Sequence, residues 1–233
     1  MGVLASRARA VRTAYAEAGN TVTVRAGARF VLNRRCPQVW DANHVGAVGE
    51  SGVVDLAELR SAIDEVFDWA SHRQVRLGPQ SPPALAASLV VDGYELHCEV
   101  VSVLPSSVGI GVGGPVAGLE IRAVDGDDDE ASLVALHRAD HAEEAVAEHR
   151  EPWPASLTEQ IVEARLAKAP SLRFFLAAVE GVDVGFLSSF VPGAAWVSAA
   201  AGMGMVGGLL TLPRPPGDGG GRGAPRRGAR LRR

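Results

Sequence analysis

Residues 105–117, PSSVGIGVGGPVA, carry no charge and no helical or strand periodicity, and they are rich in Gly, Pro and Ser. A stretch of this kind is a linker. It divides the chain into residues 1–104 and 118–213, so each half must bury its own amphipathic elements, and a tail, 214–233, follows them. At 233 residues and 47% hydrophobic content the chain has material for two small domains and an ordinary core.

In the first half, ARFVLN (28–33) reads as a strand, followed by a loop around Pro37. Asp55 with Glu58 three residues on forms a capping box. Leu56, Leu59, Ile63, Val66 and Phe67 then recur at helical spacing, which predicts an amphipathic helix over 55–70. RQVRL (73–77) reads as a short strand, SPPALAASLVVDG (81–93) as a helix opened by Pro and closed by Gly93, and YELHCEVVSVL (94–104) as a strand. In WDANH, a buried Asn43 and His44 fixing the loop is the simple reading, with a pocket wall of Trp40, Asn43 and His44 as the functional one.

In the second half, GLEIRAV (118–124) reads as a strand, and DGDDDE supplies N-caps and acids for the positive end of a helix. The Asp run lacks the spacing of a calcium loop. His137 and His141 lie one turn apart on that helix without a third metal ligand, and are read as part of a solvated face. Ser156 and Glu159 form a second capping box before Ile161, Val162 and Leu166. SLRFFLAAV and VGFLSSFV read as a hairpin around Gly181.

Charge is uneven. The tail holds seven Arg and one Asp, +6, which leaves residues 1–213 at −10 of the total −4. Lys168 is the one lysine beside 22 arginines. Two separated cysteines, Cys36 and Cys98, make neither a disulfide framework nor a zinc site and fit a reducing cytoplasm. The N-terminus has no apolar signal region, although Met1, Gly2 and Ser6 match the short myristoylation pattern. Residues 184–213 are uncharged and long enough to span a bilayer, but Pro192 and six glycines interrupt them, and no membrane location is expected. The Arg-rich tail has no aromatic to stack on bases, and the acidic body repels polyanions, so no specific nucleic acid is expected as partner.

The order strand, two helices, hairpin over 119–191, with RFFLAAVEGVDVGFLSSFV as the hairpin and TLP further on, resembles the GNAT superfamily of acyl-CoA N-acyltransferases. HRQVRL, PALAASLVVDGYE and HCEVVSVL resemble the late strand, helix and strand of the same fold. The resemblance implies an α/β (α+β) architecture: a degenerate N-terminal GNAT-like module and an incomplete C-terminal GNAT module with a central mixed sheet. It further implies acetyl-CoA as cosubstrate and a small-molecule or peptide amine as acceptor.

In that family a Q/R-x-x-G-x-G/A loop after the fourth strand holds the CoA pyrophosphate on backbone amides at a helix N-terminus. Arg214, Gly217 and Gly219 match it, with Leu210, Thr211 and Leu212 along the acetyl-pantetheine arm. Trp153, between Pro152 and Pro154, falls where the family's acceptor-site helices meet. The chain departs from the pattern in three ways. Pro215 and Pro216 remove amide donors from the loop, residues 184–213 hold no acid for a base, with Ser198 where one would suit, and the elements that should follow are replaced by the tail. No catalytic residue is assigned, and the expectation is a truncated or frameshifted second module with doubtful activity. The alternative class is a non-catalytic binding or membrane-associated module with a basic tail.

Overall fold

The computed structural model describes residues 3–50, 53–99, 114, 117–192 and 205–211. Helix α1 (Val3–Glu17) leads into strands β1 (Thr21–Arg25), β2 (Ala28–Leu32) and β3 (His44–Gly46), then helices α2 (Leu56–Val66) and α3 (Pro83–Val91). The second half is β4 (Leu119–Ala123), α4 (Asp127–Glu148), α5 (Ala155–Leu166), β5 (Leu172–Val179), β6 (Val182–Phe190) and β7 (Met205–Thr211).

Strands β1, β2 and β3 form an antiparallel sheet in that order. The two-residue turn between β1 and β2 is Ala26–Gly27, both at positive φ (49° and 69°), the geometry that suits a tight right-twisted hairpin. Helix α2 covers this sheet as its periodicity requires. Leu59, Ala62, Ile63 and Phe67 pack on Phe30, Val45 and Val48, and α3 adds Leu85 and Leu89. The Asp55 carboxylate accepts the N–H groups of Ala57 and Glu58, so half of the expected capping box forms.

Two strand expectations in this half are corrected. Residues 73–77 contribute one parallel bridge, Val45 to Val75, with Arg76 N–H donating to Val45 O, and not a strand. Residues 94–99 make no strand among the described residues: Tyr94 packs on the core while Leu96 stays exposed. Alternation without a neighbouring backbone to pair with does not make a strand.

The second sheet has the order β4-β5-β6-β7, and every pair is antiparallel, so the expected central mixed sheet is corrected within the described residues. The connection explains the direction. Helices α4 and α5 run antiparallel, with His141 opposite Thr158 and His137 opposite Arg165. Two antiparallel helices return the chain to the end of the sheet where β4 stopped, and β5 must then run the other way. The β5–β6 turn is Glu180–Gly181, both at positive φ (54° and 78°), as the Gly181 hairpin expectation requires. At the start of α4, Asp127, Asp128, Asp129 and Glu130 occupy the first turn, where the dipole favours them, although Gly126 and no side chain stands at the cap. The second capping box does not form: α5 begins at Ala155 after Pro154, and Glu159 pairs with Arg138 across to α4.

The halves share core. Val11, Ala14, Tyr15 and Ala18 from the first segment pack with Leu133, Leu136, Phe174 and Phe190 of the second, and the Tyr15 and Phe190 rings meet edge-on at 5.2 Å. Cys36, Val39 and Ala42 pack on Ala164, Leu157 and Ile161 of α5. Burial raises the Cys36 thiol to about 11, whereas Cys98 is exposed. A thiol-specific colorimetric reagent at pH 8 should therefore modify one thiol per native chain rapidly and the second only on unfolding. Two fast thiols in the native protein would contradict the packing of the 33–43 loop.

Candidate functional site

Strand β6 alternates, with Phe186, Ser188 and Phe190 turned into the core beneath α4. The facing stripe of α4 is Leu133, Leu136, His137, His141 and Ala145, all buried at helical spacing. The two histidines thus occupy core positions, which corrects their reading as a solvated face. Their spacing from Leu133 and Leu136 was the available signal, and counting imidazole as polar hid it.

A row of rings crosses this layer. Trp153, in the loop after α4, is 41% exposed and meets the His141 ring edge-on at 4.6 Å, with the Arg150 guanidinium 4.7 Å over its other neighbourhood. His141 lies 6.0 Å from His137, and His137 lies 4.2 Å from Phe186. His141 Nδ1 is 2.8 Å from the buried Thr158 hydroxyl, and Arg165 Nη1 reaches His137 Nε2 at 3.4 Å. Burial, with Arg165 beside it, lowers His137 to about 3, and burial lowers His141 as well. Both imidazoles are neutral at physiological pH, in keeping with a ring that accepts from a guanidinium.

Phe186 connects the row to the outer strand. Its register partner on β7 is Leu210, and Gly185 pairs with Thr211. Between Phe186 and Ser188 the register slips, from Leu210 to Gly207, so β7 carries one residue more than β6 over this interval. Such a bulge leaves backbone groups outside the ladder and turns the strand at that point. Among the described residues β7 is the last strand of its sheet, with one side unpaired.

Of the residues singled out in the sequence, the structure therefore places Leu210 and Thr211 at the end of β7 beside Gly185 and Phe186, and Trp153 at the far end of the ring row. Leu212, Arg214, Gly217, Gly219 and Ser198 lie outside the described residues. Asn43 and His44 are buried, and Asn43 fixes its loop: its Oδ1 accepts Asn33 N–H at 2.7 Å and its Nδ2 donates to Cys36 O and Val39 O. Trp40 is exposed. Residues 184–190 and 205–211 are sheet strands, and among the described residues no helix is long and apolar enough to cross a membrane. No group of three or more His, Cys, Asp or Glu among the described residues could hold a metal ion.

No protein-family model matches the chain, and no curated protein matches it. Two solved structures resemble it. A GCN5-related N-acetyltransferase from Kribbella flavida is 21% identical, with a TM-score of 0.48, over 91% of this chain and 74% of that one. A functionally unknown conserved protein from Staphylococcus epidermidis is 10% identical, with a TM-score of 0.48, over 84% of this chain and 72% of that one.

Proposed function

We propose that the second half is an acyl-CoA-dependent N-acyltransferase module, transferring an acetyl group from acetyl-CoA to the amine of a small molecule or peptide. The observation that carries this reading is the bulged outer strand β7, which ends at Leu210 and Thr211 immediately before the R-x-x-G-x-G segment. Unpaired backbone N–H groups at a bulge can donate to a thioester carbonyl. They strengthen their hold as that oxygen becomes negative in the tetrahedral intermediate. A fixed edge also holds the thioester in line for a neutral amine, which supplies rate through orientation. Gly217 and Gly219 permit close approach of backbone to pyrophosphate, while Pro215 and Pro216 each withdraw a donor. Weak cofactor binding and slow turnover follow from that balance. Trp153 and Arg150 form the side on which an acceptor would rest.

Titration calorimetry of acetyl-CoA into the full chain tests the reading. Saturable binding is expected, weakened at least tenfold by a Gly217→Ala, Gly219→Ala double variant. A folded chain that takes up no acetyl-CoA would remove the cofactor site and leave a non-catalytic binding module.

A further inference from the structure

A second cavity, of about 130 Å³, opens between α1 and the first sheet, away from β7. Its walls come from three separate parts of the chain: Arg9 and Arg12 on α1, Arg29 on β2, and Arg76 in the segment bridged to β3. Glu17 and Glu50 also line it, so four guanidinium groups face two carboxylates and the lining carries a net +2. Arg12, Arg29 and Arg76 engage Glu99, Glu17 and Asp41 respectively, each through Nη2, which leaves most of the donors of each fork unused by that partner. Arg29 Nε lies 2.8 Å from Glu17 Oε1 without the alignment of a hydrogen bond, and it is buried without a partner.

The floor of the cavity is His44, 2% exposed, whose Nδ1 is buried with no hydrogen-bond partner. The neighbouring Asp41 backbone favours the charged ring, yet makes no bond of ordinary geometry. Orphaned buried nitrogens are rare because each costs about 1–3 kcal/mol, and an orphan in a roomy polar cavity points to a group that completes it. Burial and the adjacent Arg76 keep the imidazole neutral, so it can offer one N–H to an oxygen while the guanidinium groups supply the charge. At Gly46, on the same wall, an added Cβ would stand 3.6 Å from His44 Cδ2, so the missing side chain keeps the ring accessible.

We propose that this cavity binds a phosphate-type dianion, either inorganic phosphate or the phosphate of a small monoester, held by Arg12, Arg29 and Arg76 over His44. A dianion matches the net +2 of the lining, and a tetrahedral oxyanion presents several acceptors to guanidinium forks that converge from different directions.

Inorganic phosphate and glycerol phosphate are titrated separately into the full chain against chloride at equal ionic strength, by calorimetry and by thermal unfolding. Saturable binding and a rise in Tm with phosphate are expected, and the stronger of the two probes identifies the free or the esterified form as ligand. Arg29→Gln and the cavity-filling Gly46→Val are expected to weaken binding at least tenfold while circular dichroism stays native. The Gly217→Ala, Gly219→Ala double variant should bind as the parent does. No saturable effect with either probe, binding within twofold of the parent in folded Gly46→Val, or binding lost in the tail variant would each overturn the assignment.

Discussion

Acidification from pH 7 to pH 4.5 should unfold the protein cooperatively, with the stability loss beginning near pH 6.5. Burial, reinforced by Arg76, lowers His44 to about 3, and burial, reinforced by Arg165, lowers His137 to about 3. In the unfolded chain a histidine titrates near ~6.5. Below that value the unfolded state binds protons that the native state refuses, so these groups contribute stability that is complete above ~6.5 and lost as pH falls toward about 3. At pH 4.5 each of the two has cost about 2–3 kcal/mol, so the pair removes about 5 kcal/mol, comparable with the whole stability of an ordinary domain. His72 and His141, both lowered chiefly by burial, act in the same direction.

Carboxylates do not share this window. Asp129 is lowered by the Asp125 N–H and by Arg122, and Asp183 by Arg122, so they release their stabilisation at lower pH. Tryptophan fluorescence and circular dichroism followed from pH 7.5 to 3 measure the midpoint. His137→Phe, which keeps a ring on Phe186, should move that midpoint downward by about half a pH unit or more, on the same linkage. A parent midpoint below pH 3.5, or one indifferent to the substitution, would mean that the histidines are not held as described.

Lys168→Ala is expected to cost about 3–5 kcal/mol. The side chain is 4% exposed, and Nζ donates to Tyr15 O at 2.8 Å and to Ala18 O at 3.1 Å while standing 4.7 Å over the Tyr15 ring. It thus closes the last turn of α1, whose carbonyls have no partner inside the helix, and ties that helix to the end of α5. Truncation leaves a cavity and buried carbonyls without a donor. Lys168→Met keeps the stem in place and removes a charge that burial disfavours, so it should cost less than half as much in urea unfolding at pH 7.

A pH signature separates the ammonium from its stem. Burial lowers Lys168 to about 8, well below the ~10.4 of an unfolded lysine. Between these values the unfolded chain holds the proton that the native chain has released, so stability should rise with pH from 8 to 9.5 in the parent. In Lys168→Met the slope over this interval should flatten. Equal slopes in the two proteins would show that the amine is solvated.

Several elements were legible because local chemistry alone specifies them. The 3.6-residue recurrence of Leu56, Leu59, Ile63 and Phe67 behind Asp55 gave α2, since a cap and an apolar stripe suffice to define a surface helix. The Glu180–Gly181 turn between two apolar runs gave the β5–β6 hairpin, because a two-residue turn fixes its own register. Others depended on partners remote in sequence. Helix α1 lacks acids in its first turn and basic residues in its last, and it is held by Phe190 and Lys168 from the opposite end of the chain. Residues 94–99 have a strand pattern but no strand to pair with.

The candidate site divides in the same way. Leu210, Thr211 and Trp153 could be singled out from a motif and its neighbours, but their connection through Phe186, His137 and His141 could not, because it exists only when α4 lies across β6. The anion cavity is further still from the sequence. Arg12, Arg29, His44 and Arg76 span more than sixty positions without a motif, in a chain where arginine is so common that no single one draws notice.

By itself, the sequence determined the helices with a cap and a stripe, the hairpin with its two-residue turn, and the acidic first turn of α4. Each of these is settled by interactions between residues a few positions apart. Tertiary structure alone decided that both sheets run antiparallel in their named pairs, that two histidines belong to the core, and that four arginines meet around an unpartnered imidazole. Those outcomes depend on which faces are removed from water together, and burial is a property of the assembled layers rather than of any one segment.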